Sequence, residues 1–146
     1  MRQRHDYRVR SATAGDLPFI QDTVVRLRLD NEDLRAEQFI VVQEGARTLA
    51  FGRIKPYRHT FELGCVAVLE DRRGHGIGEL VVRELIRRFP QEHVYVTTDI
   101  PEYFQRLGFV PTRSLPRELS EKIGRVEGKL RSGVVGMVYR RPTGQQ

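Results

Sequence analysis

The 146-residue chain has a single cysteine, Cys65, which rules out an intrachain disulfide framework and argues against a cysteine-built metal cluster; no metal is expected. No apolar run approaches the roughly 20 residues that cross a bilayer, so no contact with a membrane is expected. The opening residues, 1–6, lack the apolar stretch of a secretory signal, and the expected location is the cytoplasm. Lysine is scarce: among 25 basic residues only Lys55, Lys122 and Lys129 are lysines. The arginines are scattered along the chain, so the net charge of +6 reads as a solvated surface. Zinc-finger spacing, RNA-binding aromatics and a basic zipper are all missing, and specific nucleic-acid binding is not expected.

What is present begins with a length and a hydrophobic content of 39% that suit one domain with a proper core, here expected over residues 1–146. No repeat or linker interrupts it. The most informative stretch is Arg72-Arg73-Gly74-His75-Gly76-Ile77-Gly78, between an apolar strand and an amphipathic helix. Glycines let successive main-chain N–H groups turn toward one anion, and the helix beyond adds the positive end of its dipole. Two arginines add charge suited to a phosphate or diphosphate. A nucleotide-hydrolase loop would need Gly-Lys-Ser/Thr, but Glu79-Leu80 follows Gly78. A dinucleotide fingerprint would need a third glycine where Glu79 stands. The pattern that fits is Arg-x-x-Gly-x-Gly at Arg73, Gly76 and Gly78. A tight strand-to-helix turn holding nothing is the alternative.

The remaining pattern predicts an α/β fold. Strands are expected at Tyr7–Arg10, Phe39–Val42, Leu49–Ile54, Phe61–Leu69, Val94–Thr97, from Phe109, and at Val134–Tyr139. The strand Phe61–Leu69 is apolar on both faces toward its end, which predicts a central place. Leu17, Ile20, Val24 and Leu27 form one helical stripe, with Asp16 as its N-cap and Pro18 in its first turn. Ile77, Val81, Leu85 and Phe89 form a second. Shorter helices are expected from Pro101 to Leu107 and from Leu115 to Lys129, the latter weakened at Gly124. Residues 31–37 read as a polar loop or short helix. The sum is a mixed, mostly antiparallel sheet of about six to seven strands with helices on both faces.

Two segments carry a family resemblance. Glu62-Leu63-Gly64-Cys65-Val66-Ala67-Val68 leads into the glycine loop, and Tyr103-Phe104-Gln105-Arg106-Leu107-Gly108-Phe109-Val110-Pro111 follows about thirty residues after it. Together they resemble the GNAT superfamily of acyl-CoA N-acetyltransferases. The wording Glu-Leu-x-Cys-Val-Ala-Val is most similar to the acetyltransferase domains of N-acetylglutamate synthases and to stand-alone amino-acid acetyltransferases. The synthases place an Arg and a Ser one residue apart before the last strand, whereas Arg131 and Ser132 are adjacent here.

The resemblance implies acetyl-CoA as cosubstrate and a small-molecule primary amine, such as an amino acid, as acceptor. It implies that Arg73, Gly74, His75, Gly76, Ile77 and Gly78 hold the diphosphate. Main-chain groups of Val66, Ala67 and Val68 would bind the pantetheine arm like an added strand. Glu62 matches the family's catalytic glutamate and would act as general base; the alternative is a glutamate at an exposed strand start, or one that holds an arginine. Many members use a tyrosine four residues before the Gly of Gly-Phe to protonate the leaving thiolate. That position is Phe104, which would instead pack against the coenzyme arm. Tyr103 stands one residue earlier, turned about 100° around the helix, and is the candidate acid beside water or another residue. Cys65 reads as core packing, grouped by strand alternation with Phe61, Leu63 and Ala67. Two other readings stay open: a non-catalytic acyl-CoA-binding sensor, and an acetyltransferase acting on peptides or proteins. A homodimer is an arrangement the resemblance allows.

Overall fold

The structure, a computed structural model, describes residues 6–127 and 133–142. The Arg131–Ser132 pair and the last residues of the expected 115–129 helix lie outside them. The strands are β1 (Tyr7–Ser11), β2 (Phe39–Glu44), β3 (Arg47–Pro56), β4 (Phe61–Val68), β5 (His93–Thr98), β6 (Val110–Pro111) and β7 (Val135–Arg140). The helices are α1 (Leu17–Arg26), α2 (Ile77–Arg88), α3 (Pro101–Arg106) and α4 (Arg117–Lys122). The strands form one sheet in the order β1-β2-β3-β4-β5-β7-β6. Every neighbouring pair is antiparallel except β4 beside β5, so the expected mixed, mostly antiparallel sheet is what the chain forms.

Adjacent residues of a strand point to opposite faces, and two cores result. Ile40, Val42, Leu49 and Leu63 meet Ile77, Val81 and Leu85 of α2 on one face. Phe39, Val41 and Phe51 meet Ile20 and Val24 of α1 on the other. The central strand β4 serves both, and its alternation is broken to do so. Its ladder with β3 shifts between Phe51 opposite Ala67 and Arg53 opposite Gly64, and Cys65 has φ of 50°. One extra residue in the strand reverses the side-chain parity. Leu63 and Phe61 therefore face α2, while Cys65 and Ala67 face α1. This corrects the expected grouping of Cys65 with Phe61 and Leu63.

Asp16 precedes α1 as expected but makes no capping bond to it. Its carboxylate instead accepts from the Thr13 N–H at 2.7 Å and from the two terminal Arg10 guanidinium nitrogens at 2.8 and 2.9 Å. The Arg10 hydrogen bonds, against the opposing effect of burial, hold this carboxyl down at about 2. A carboxyl depressed in the folded state contributes stability at pH values above its unfolded value near ~3.9, and that contribution is lost as pH falls through about 2. With both side chains partly solvated, Asp16→Asn is expected to lower unfolding free energy by about 1 kcal/mol at pH 7. Near pH 2 the difference should shrink toward zero, which urea melts at the two pH values would check.

The regular part of the last helix stops at Lys122 and widens into a single π turn over Ile123–Glu127, which contains Gly124. Among the described residues no helix is long and apolar enough to cross a membrane.

Candidate active site

Parallel pairing between β4 and β5 is limited to Glu62 opposite Tyr95. Beyond that pair, on the side of the Cys65 bulge, a cleft of about 570 Å³ lies between the two strands. Leu63 to Val66 and Val68 line one wall, and Val96 to Thr98 the other. Tyr103, Phe104 and Arg106 of α3 close one side, and the glycine loop forms one end. Unpaired strand edges facing an elongated cleft suit a ligand that adds itself to the sheet through main-chain hydrogen bonds.

The loop leaves β4 through one 3₁₀ turn at Glu70–Arg72. Gly74 and Gly76 then take φ of 84° and 80°, where an L side chain would be strained. Gly76 sits at the N-cap of α2 with no side-chain cap, and Gly76, Ile77 and Gly78 line the cleft. Gly78 approaches α3: a Cβ there would come within 2.7 Å of the Tyr103 hydroxyl. These are features that suit an anion at a helix start. The exposed Arg73 lines the cleft and donates from Nε to the Val68 carbonyl at 3.1 Å. Arg72 pairs with Glu44 at 2.6 Å.

Of the other residues singled out in the loop and strand, Val66, Val68, Gly74, Gly76, Ile77 and Gly78 line the cleft. Ala67 sends its side chain into the α1 core, and His75 stands exposed between the two glycines. Tyr103 places its hydroxyl against Gly78, at the loop end of the cleft. Burial, with Glu79 adding and Arg106 opposing, pushes this hydroxyl above its ordinary value, so it stays a hydrogen-bond donor. Phe104 is buried and packs edge-on against Tyr103 and Phe109 while touching the cleft.

Glu62 is only 3% exposed and lies behind the cleft wall. Its Oε1 accepts from the Tyr57 hydroxyl at 2.8 Å, and its Oε2 from Thr97 Oγ1 and Lys122 Nζ, each at 2.6 Å. It thus holds a lysine, sixty residues away, rather than an arginine. Burial, reinforced by the Glu62 charge, pushes the Tyr57 hydroxyl well above its usual value and keeps it protonated. Asp30 extends the network to Lys55 at 3.0 Å, Arg53 at 3.2 Å and Lys122 at 3.4 Å. Burial alone would raise the Asp30 carboxyl, but Lys122, the Glu32 N–H and Lys55 outweigh it and hold the group below its ordinary value.

A polar cavity of about 30 Å³, room for one water, opens among these groups. It shares Leu29, Gly64, Cys65 and Thr97 with the large cleft. Cys65 takes no chemical part that its surroundings support: burial, aided by Asp30 and Glu62 against Arg53 and Lys122, pushes its thiol up to about 11. A thiol so protonated is a packing group.

Several residues of the site escaped the sequence reading. Arg106 stands one helical turn from Tyr103, with its guanidinium 5.8 Å from that ring, and spacing on α3 could have pointed to it. Lys122 follows the fully buried Leu119 by three positions and so shares its inward face, a readable signal. Tyr57 and Asp30 lie in loops and carry no periodic signal at all.

The sequence of residues 35–111, just over half of the chain, matches the family model described as acetyltransferase (GNAT) domain. No curated protein sequence matches. Among solved structures, N-acetylglutamate synthase from Neisseria gonorrhoeae complexed with coenzyme A and N-acetyl-glutamate superposes with a TM-score of 0.78 at 20% identity. That match covers 94% of this chain and 36% of the synthase chain, so the chain spans little more than a third of it. Rv2747 from Mycobacterium tuberculosis, in complex with CoA, gives 0.74 at 23% identity, covering 92% of this chain and 99% of that one. A GNAT family acetyltransferase from Brucella melitensis in complex with acetyl-CoA gives 0.58 at 20% identity over 73% of this chain and 84% of its own.

Proposed function

The chain belongs to the acetyltransferase (GNAT) domain family, and we propose that it acetylates the primary amine of a small molecule such as an amino acid, with Glu62 as general base acting through one water. Acyl-CoA dependence comes with the family; acetyl-CoA supplies an acetyl group activated as a thioester. The main-chain amides of residues 73–78, with Arg73 beside them, would hold the diphosphate. The edge of β4 from Val66 to Val68 would hold the pantetheine arm. The observation that carries the reading is a buried carboxylate one water's width behind a cleft built for a long anionic ligand.

An aliphatic ammonium with a pKa near ~10 must lose a proton before it can attack. Glu62 is too deep to line the cleft, but the polar cavity joins its surroundings to Gly64 and Thr97, which do. A water there would pass the proton inward while Tyr57 and Thr97 orient the carboxylate. An N–H near the bulge, at Val66 or a neighbour, would polarise the thioester carbonyl. Tyr103 donates its hydrogen bond at the loop end, and we assign it to the phosphate or pantetheine chain, leaving water to protonate the sulfur.

Two observations support an amino acid as acceptor. The synthase with the same fold was solved with N-acetyl-glutamate. Among the described residues three buried cations, Arg53, Lys55 and Lys122, also outnumber two buried carboxylates, Asp30 and Glu62. That balance favours an acceptor bearing a carboxylate over a polycation. Thiol release from acetyl-CoA across amino acids, polyamines, aminoglycosides and peptides tests it. Turnover with small amino acids is expected; turnover confined to polyamines or peptides would overturn the acceptor class.

Gly64 offers a second test. A Cβ at this position meets nothing within 4 Å, so Gly64→Val would fit yet narrow the opening between cleft and polar cavity. The fold should hold to within about 1 kcal/mol. The kcat/KM for the amine should fall roughly tenfold or more, equivalent to at least about 1.4 kcal/mol, with acetyl-CoA affinity retained.

A further inference from the structure

We propose that Lys122 is a resident acceptor: without a competing amine, its side-chain nitrogen takes the acetyl group from acetyl-CoA. This rests on the acyl-transfer reading above. The Lys122 ammonium has three N–H donors. Its acceptors among the described residues include Glu62 Oε2 at 2.6 Å, Thr97 Oγ1 at 3.3 Å and Asp30 Oδ2 at 3.4 Å. A substrate amine in the cleft reaches Glu62 through one water, whereas the Lys122 nitrogen touches that carboxylate directly.

The cavity that holds Lys122 adjoins the cleft. The polar cavity that Lys122 lines shares Gly64, Cys65 and Thr97 with the large cleft, and the side-chain position of Gly64 is open space. The transfer requires the flexible four-carbon stem to carry the nitrogen through that opening. Lys122 also ends α4 just before the π turn, where the helix departs from regular geometry. Lys55 is likewise held on Asp30, at 3.0 Å, and lies over the Tyr57 ring.

Glu62 takes one proton from the ammonium, and the neutral nitrogen attacks the thioester carbonyl carbon. The C–N bond forms as the C–S bond breaks. The second nitrogen proton leaves with the thiolate as free thiol, and Glu62 returns the first to solvent. The product is a neutral amide at Lys122, which strips a balancing cation from two buried carboxylates. Modified enzyme should therefore lose activity toward external amines, making acceptor supply a guard on the enzyme's own integrity.

With lysines only at 55, 122 and 129, peptide mass spectrometry reads the outcome directly. Folded protein incubated with acetyl-CoA and no amine should carry one acetyl group on the peptide containing Lys122. A 2% exposed lysine is shielded from random acylation, so selectivity should vanish in urea. Modification should also disappear in Glu62→Gln and be suppressed by an amine that supports turnover. Acetylation confined to Lys55, Lys129 or the N-terminus would overturn the proposal. So would equal modification of Lys122 in Glu62→Gln, or none at all in a preparation that acetylates external amines. Failure to acetylate any amine, with no acetyl-CoA bound, would overturn the acyl-transfer reading as well.

Discussion

Glu62→Gln is expected to cut kcat/KM for the amine by about 100-fold to 10,000-fold, the usual range for removing a general base. The amide matches the carboxylate in shape and can still accept the Tyr57 hydroxyl through its oxygen. It cannot take up a proton, so the step that frees the attacking amine is lost. Acetyl-CoA affinity should be unchanged, because Glu62 lies behind the cleft wall. The same substitution removes one of two carboxylates facing Lys122, and a buried cation left short of its partner costs about 3 kcal/mol. Thermal melts must therefore accompany the kinetics. A folded variant that binds acetyl-CoA normally and turns over at the wild-type rate would remove Glu62 from the mechanism.

Gly76→Glu should abolish measurable acetyl-CoA binding, a loss of at least about 100-fold, or roughly 2.7 kcal/mol. Two effects act together. The residue sits at φ of 80°, so any side chain strains the turn by about 1–2 kcal/mol. A carboxylate is also placed at the mouth of a cradle built to attract phosphates. Gly76→Ala separates them: it carries the strain alone and should weaken binding less. Equal losses in the two variants would assign the effect to backbone geometry rather than charge.

Residues that act through regular periodicity are legible in the sequence. The i+4 stripe of α2, the two-faced apolar run of β4 and the glycines between them placed the cleft's floor and one end. The Cys65 bulge was not legible, because a period of two cannot register one residue at positive φ. That single residue reverses the facing of Leu63 against Cys65 and stands where β4 and β5 part, so it shapes the cleft. The Glu62–Lys122 pair joins positions sixty apart, through a helix whose regular span ends early at Gly124's turn. No local pattern encodes such a contact. Lys122 alone could have been suspected, from its place one turn after Leu119 on an inward face. Tyr103 shows the opposite limit: its helix and its neighbour Phe104 were readable, but its direction toward Gly78 depended on how α3 packs.

Backbone amide shifts on adding coenzyme A to isotope-labelled protein reach the central claim most directly. We expect the largest changes at residues 73–78 and along 64–68, with smaller ones at Thr97 and Thr98 across the cleft. Saturable changes grouped on α1 or β1 instead, with the glycine loop silent, would contradict the assignment of this cleft to the acyl carrier.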